Sequence, residues 1–60
     1  MDSAAQTYEL IRSLRRLIGA EEARPVAEQA IELLHSGNAD EALVCVEAAY
    51  HDALDHEITT

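Results

Sequence analysis

Residues 33–43 read Leu33-Leu34-His35-Ser36-Gly37-Asn38-Ala39-Asp40-Glu41-Ala42-Leu43, and this stretch decides the fold. Gly37 can adopt the left-handed conformation that closes a helix at its C-terminal end. Asn38 followed by Glu41 has the spacing of a capping box, which opens a helix. The stretch therefore predicts the end of one helix, a tight turn and the start of the next helix.

Apolar residues at helical spacing extend on both sides of this turn and also occupy the N-terminal third of the chain. The helices predicted from this spacing cover residues of about 4–18, 21–35 and 39–55. The middle helix has a wide apolar arc, which indicates contact with two neighbours. We therefore expect one all-α domain over residues 1–60. It is either a three-helix antiparallel bundle built on an αα-hairpin, or a hairpin whose first helix extends toward a partner.

The helix ends have recognisable signals. Asp2 or Ser3 is expected to cap the first helix, and Gly19 to end it. Pro25 lies either within the first two turns of the second helix or at its first helical position, which would leave residues 20–24 as a loop. The last residues, Ile58 to Thr60, are expected to fray.

The second and third helices resemble one tetratricopeptide repeat, a helical hairpin that binds other proteins. That family has a small residue midway along its first helix, where this chain has Ala30. Its turn of the type Gly-Asp/Asn-x-x-Glu-Ala matches residues 37–42, and Val46 and Ala49 occupy the next bulky and small positions. The resemblance covers residues of about 25–54. Because a single repeat cannot bury its apolar face alone, it implies that the first helix or another chain completes the core.

The charge is strongly acidic and unevenly placed. The net charge is −8; acidic and basic residues cancel over residues 1–24, whereas residues 25–60 contain no lysine or arginine. Such a surface either keeps the protein in solution or favours basic partners, and it repels nucleic acid and anionic membranes. We therefore expect no direct binding of nucleic acid or membrane. No segment resembles a signal peptide or a membrane span, and the unpaired Cys45 fits a reducing compartment, so the expected location is the cytoplasm.

The sequence has no recognisable catalytic equipment. His51 and His56 project about 140° apart on a helix, so they cannot jointly hold a metal ion. Cys45 is expected to be a half-buried packing residue. There is no glycine-rich phosphate loop or Ser/His/Asp set, and a chain of this size does not easily enclose a substrate pocket. We expect no enzymatic activity, metal, cofactor or small-molecule substrate.

The core predicted from the composition is thin, because the chain has eleven alanines and no phenylalanine or tryptophan. Alanine buries little area, so we expect a protein partner, self-association, or both, with a symmetric dimer as the simplest form. The apolar residues expected to form the core or the partner interface are Leu10, Leu14, Leu17, Leu43, Tyr50 and Leu54. The charged interface residues are predicted to be Arg12, Arg15, Arg16, Glu47, Asp52 and Asp55.

Three functions fit these features. The first is an adaptor or chaperone-like subunit that binds a helical segment of a larger protein. The second is an acidic regulator that sequesters a basic, or DNA-binding, protein by electrostatic contact. The third is a purely structural homo-oligomer. Salt separates the first two, since electrostatic binding weakens as salt rises.

Overall fold

The protein is an all-α three-helix bundle. The computed structural model describes the backbone of residues 2–59 and the side chains of residues 2–56. Its helices are α1 (Ser3–Ile18), α2 (Ala20–His35) and α3 (Ala39–Thr59). The predicted fold class is confirmed. Among the described residues, no helix combines the length and the apolar character that a membrane span requires.

Helix α3 is longer than the sequence pattern predicts. It continues to Thr59 rather than ending near residue 55. Glycine and proline, which end helices, are both absent from residues 39–59, so the backbone has no local reason to leave the helix. Of the residues expected to fray, Ile58 and Thr59 belong to α3, and Thr60 lies outside the described residues.

Neighbouring helices along the chain are antiparallel. The Ser3 hydroxyl donates a hydrogen bond to Asp40 Oδ1 at 2.7 Å, so the starts of α1 and α3 lie together. One surface groove joins Tyr8, near the start of α1, to Ile31, near the end of α2. All three pairs of helices pack against one another. The first helix therefore completes the bundle, and the alternative of a hairpin with an extended first helix is wrong.

A single residue, Gly19, links α1 to α2. Its N–H donates to the Arg15 carbonyl at 2.9 Å, and its own carbonyl accepts from Ala23 N–H at 3.0 Å. Gly19 has φ 95° and ψ 156°, a region of backbone space that essentially only glycine occupies. The predicted end of α1 at this glycine is confirmed.

Helix α2 begins before its proline. Because it starts at Ala20, Pro25 is its sixth residue, and the alternative in which residues 20–24 form a loop is wrong. Pro25 has no N–H to donate to the Glu21 carbonyl four residues earlier. Glu21 is exposed, so water can reach this end of the helix and the missing bond costs less than it would in a buried helix.

The turn between α2 and α3 is a Schellman motif. Asn38 N–H donates to the Leu33 carbonyl at 2.8 Å, and Gly37 N–H donates to the Leu34 carbonyl at 3.2 Å. Gly37 has the positive φ of 84° that this motif requires. In the described part of the chain, the side chains of Asn38 and Glu41 do not form the predicted capping box. In a capping box the Glu41 carboxylate would accept a hydrogen bond from the Asn38 N–H, but this N–H already donates to the Leu33 carbonyl.

The start of α1 has the predicted cap, since Asp2 Oδ1 accepts from Ala4 N–H at 3.2 Å.

The core that these helices enclose is built mainly from small residues. Its larger members are Ile11, Leu14 and Val46. The buried alanines are Ala23, Ala27, Ala30 and Ala42. Small side chains let antiparallel helices approach closely, but they leave the bulkier leucines only partly covered.

Candidate protein-interaction surfaces

Most of the apolar residues predicted to form core or interface lie on one seam. Leu10 and Leu17 are seven residues apart on α1; on α3, Leu43 and Tyr50 are seven residues apart and Leu54 lies four residues further on. Residues seven apart share a helix face. Leu10 and Leu43 line one groove between α1 and α3. Because α1 and α3 run parallel, the helical spacing places Leu17, Tyr50 and Leu54 further along the same sides of the two helices. We call this row the α1/α3 seam.

Leu14 is different, because its side chain is completely buried. It lies on the face of α1 that also contributes Ile11 and Thr7 to the interior. Of the two roles left open for it, core and interface, it therefore has the core role in the folded chain. A partner cannot contact the Leu14 side chain on the surface of the folded bundle, so Leu14 is not an interface residue in this fold.

An open groove lies at one end of the α1/α3 seam. It has a volume of about 490 Å³. The apolar residues that line it are Ala5, Leu10 and Leu43, and the acidic ones are Asp2, Glu9 and Glu47. Gln6 completes the lining, which contains no lysine or arginine among the described residues. We call this feature the acidic groove.

The acidic groove has the dimensions of a contact for a short helical segment. From Asp2 to Leu10 its α1 wall covers about 12 Å at 1.5 Å per residue, or about two helical turns. Ala5 is exposed, and Leu10 and Leu43 are half-buried, so the floor is apolar and open to solvent. The three carboxylates around it favour positive charge on whatever lies there.

The opposite charge is found between α1 and α2. Two adjoining concavities of about 430 Å³ and 240 Å³ share Arg15 and Ile31. Tyr8 and Arg12 line the first of them, and Arg24 lines the second. Glu9 and Glu28 also contribute to the lining, which leaves an excess of one positive charge. We call this feature the basic groove.

The basic groove faces away from α3, since only residues of α1 and α2 line it in the described structure. Three concavities that α3 lines contain, among the described residues, acidic side chains and no lysine or arginine. The surface of this acidic protein is therefore divided, with its local positive charge on one side of the bundle and α3 on the other.

The predicted charged residues are distributed over these surfaces. Arg12 and Arg15 lie in the basic groove, whereas Arg16 is exposed and lines none of the five concavities. Glu47 belongs to the acidic groove. Asp52 lines a concavity between α2 and α3, and Asp55 is exposed near the end of α3. The six residues therefore do not form one continuous interface.

Two features of the surface concern residues outside the predicted interface set. Arg24 belongs to the basic groove, whereas the arginines predicted at an interface all belong to the first helix. Among the described residues, Val44 is the most exposed of the large apolar residues, at 63%, and Tyr8 follows at 50%. Tyr8 lies in the basic groove, and Val44 lies on α3 among acidic residues.

The residues with potential metal or redox chemistry are scattered. Within the described chain, no group of three or more His, Cys, Asp and Glu side chains could hold a metal ion. Cys45 is half-buried and lines a concavity between α2 and α3. This is the predicted degree of burial.

Comparisons of this chain with protein-family models, with curated proteins and with solved structures found no match. The surfaces of the bundle are therefore the features that indicate its function.

Proposed function

We propose that this protein is an interaction module that binds a basic, amphipathic helical segment of a larger protein in its acidic groove. The observation that carries this proposal is the lining of that groove, in which an open apolar floor of Ala5, Leu10 and Leu43 is bordered by three carboxylates. Grooves of this kind accept the apolar face of a helix through side chains at i, i+3 or i+4, and i+7.

The thin core supports the same role. Half-buried leucines along the α1/α3 seam leave apolar area that the chain does not cover by itself. A partner helix lying along this seam would remove that area from water, which is the main favourable term in association. The resemblance of residues 25–54 to a tetratricopeptide repeat favours a binding role as well. In this proposal the protein acts in the cytoplasm, as adaptor or chaperone-like subunit, and without catalysis of its own.

The runner-up is an acidic regulator that sequesters a basic protein mainly by charge. It is favoured by the same carboxylates, but it does not need the apolar floor. The two mechanisms therefore differ in salt dependence. Binding through the floor changes little as salt rises, whereas binding through exposed charges falls steeply once the Debye length drops from about 10 Å at 0.1 M toward 3 Å at 1 M.

The test uses a synthetic helical peptide of about 14 residues, with leucines at i, i+4, i+7 and i+11 and lysines on its flanks. Its control is a scrambled peptide of the same composition, which has the same charge and no apolar face. Binding is measured by fluorescence anisotropy from 0.05 to 0.5 M salt. We expect the amphipathic peptide to bind more tightly than the scrambled one at every salt concentration. Equal binding of the two peptides at low salt, lost at high salt, would support the electrostatic regulator instead.

A pair of variants locates the site. Ala5→Arg fills the floor of the acidic groove, and Ala48→Arg places the same side chain on an exposed position of α3 outside it. Both changes keep a good helix former. We expect Ala5→Arg to weaken peptide binding by at least about tenfold, as expected at the centre of a small interface, and Ala48→Arg to leave it within about threefold. Equal effects of the two changes would contradict the proposal.

A further inference from the structure

We infer that the basic groove is a self-association surface, and that it docks the outer face of α3 of a second copy of this chain. This surface shares Ala5 and Glu9 with the acidic groove, but its arginines line the α1/α2 side only, so the inference goes beyond the function proposed above. The outer face of α3 is defined here by the exposed apolar residues Val44 and Ala48 and the exposed carboxylates of Asp40 and Asp52.

The first argument is the match between the two exposed apolar side chains. Tyr8 and Val44 are the large apolar residues with the greatest exposure among the described residues, at 50% and 63%. Tyr8 lies beside Arg12 and Arg15, whereas Val44 lies beside Asp40 and Glu41. Each exposed apolar residue is thus bordered by charge of the sign opposite to that around the other. Pairing them covers both and places guanidinium groups against carboxylates, an arrangement that sets register and suppresses wrong partners.

The second argument is that the chain itself supplies the complementary helix. All four arginines precede Pro25, and residues 25–60 contain eight acidic residues and no lysine or arginine. Because the basic groove is formed by α1 and α2, a second copy offers in α3 an acidic helix that is already folded. No ordering of a flexible segment is then required on binding.

The placement of the two surfaces determines the kind of assembly. The basic groove and the outer face of α3 are on opposite sides of the bundle, because α3 contributes nothing to the basic groove in the described structure. One partner copy cannot cover both sides of a rigid bundle. The contact is therefore heterologous and head-to-tail, and it adds copies one after another rather than stopping at a symmetric dimer. The acidic groove between α1 and α3 stays open in each copy.

The net charge of −8 gives this association an unusual salt dependence. At 0.01 M salt the Debye length is about 30 Å, so whole copies repel one another. At 0.1–0.15 M that repulsion is screened beyond about 10 Å, whereas contacts of a few ångströms persist. At 1 M the contacts are screened too. We therefore expect the strongest association at intermediate salt.

The experiment is sedimentation velocity of the full chain from about 5 µM to 1 mM at intermediate salt. The average mass of the wild type is expected to rise past that of a dimer as the concentration increases. Arg15→Glu, which reverses one charge of the basic groove, is expected to raise the concentration needed for association by at least about tenfold. The control is Arg16→Glu, which makes the same charge change at an exposed position outside the groove and should behave as the wild type. Circular dichroism confirms that each variant is folded.

A mixing experiment tests the head-to-tail contact directly. A second variant combines Val44→Gln with Ala48→Gln, which removes the apolar part of the outer face and leaves the basic groove intact. At concentrations where the wild type just associates, this variant and Arg15→Glu are each expected to stay monomeric, and their mixture to form a one-to-one dimer that grows no further, since only one intact contact can form. A wild type that remains monomeric to 1 mM, a plateau at the dimer, equal effects of the Arg15 and Arg16 changes, or a mixture without dimer would each overturn the inference.

Discussion

Replacing Gly19 by alanine is expected to destabilise the bundle although the new methyl group meets no obstacle. An added Cβ at this position has no atom within 4 Å, so the cost is conformational only. At φ 95° and ψ 156° an L-residue pays about 1–3 kcal/mol of backbone strain. Alanine also lowers the conformational entropy of the unfolded chain, which stabilises the folded state by about 0.4–1 kcal/mol. The net loss is on the order of 1–2 kcal/mol, which for a domain of this size lowers Tm by about 5–15 °C.

Substitution by asparagine distinguishes the backbone strain at Gly19 from that at a glycine in an ordinary left-handed turn. Gly37, with φ 84°, occupies the left-handed position of a Schellman motif, where asparagine is the next best residue. Thermal and urea unfolding followed by circular dichroism should therefore show Gly37→Asn as more stable than Gly37→Ala. No such recovery is expected for Gly19→Asn relative to Gly19→Ala. An unchanged Tm in Gly19→Ala, or recovery by asparagine at both glycines, would refute the reasoning.

Three further predictions concern the interior. Thr7→Val should be neutral or slightly stabilising in urea unfolding. The buried Thr7 hydroxyl donates to the Ser3 carbonyl at 2.7 Å, but in a helix the Thr7 N–H donates to the same carbonyl, which therefore keeps a partner in the variant. A loss of unfolding free energy above about 1.5 kcal/mol would argue against this prediction. Leu14→Ala should lower the free energy of unfolding by about 2–5 kcal/mol and leave much of the chain unfolded by circular dichroism. The half-buried Leu17 should tolerate alanine better, and the reverse order would contradict the assignment of Leu14 to the core. Ala30→Leu should cost about 1–3 kcal/mol through overpacking between helices, and a gain in Tm would show that the helices can move apart freely.

The turns of this fold were predictable from local chemistry. Gly19 and Gly37 end helices where their missing side chains permit a positive φ, and both positions are confirmed. The side-chain capping box between Asn38 and Glu41 was not found, because a backbone bond to Leu33 takes the Asn38 N–H first. A sequence pattern records which bonds a residue can make, whereas competition among them depends on how the preceding helix ends.

The surfaces were less predictable, for a different reason. Periodicity defines which face of a helix is apolar, but it does not tell which neighbouring helix packs on each side of that face. Arg24 lies near Arg12 and Arg15 because α1 packs beside the face of α2 that contains Arg24, and periodicity does not predict this packing. The proline at residue 25 added uncertainty, since it left open whether Arg24 was helical at all.

The alanine-lined interior also sets the direction in which this sequence can diverge. In most proteins, damaging core substitutions remove volume, but Ala23, Ala27, Ala30 and Ala42 have only a methyl group to lose. Every single-base change that replaces one of these alanines by another residue adds bulk, charge or a hydroxyl group, or gives glycine. Neutral drift at the four sites is therefore confined to the smallest residues, whereas the half-buried leucines can exchange among aliphatic types at smaller cost. A distant descendant of this chain would keep the spacing of its small residues long after its large ones had changed.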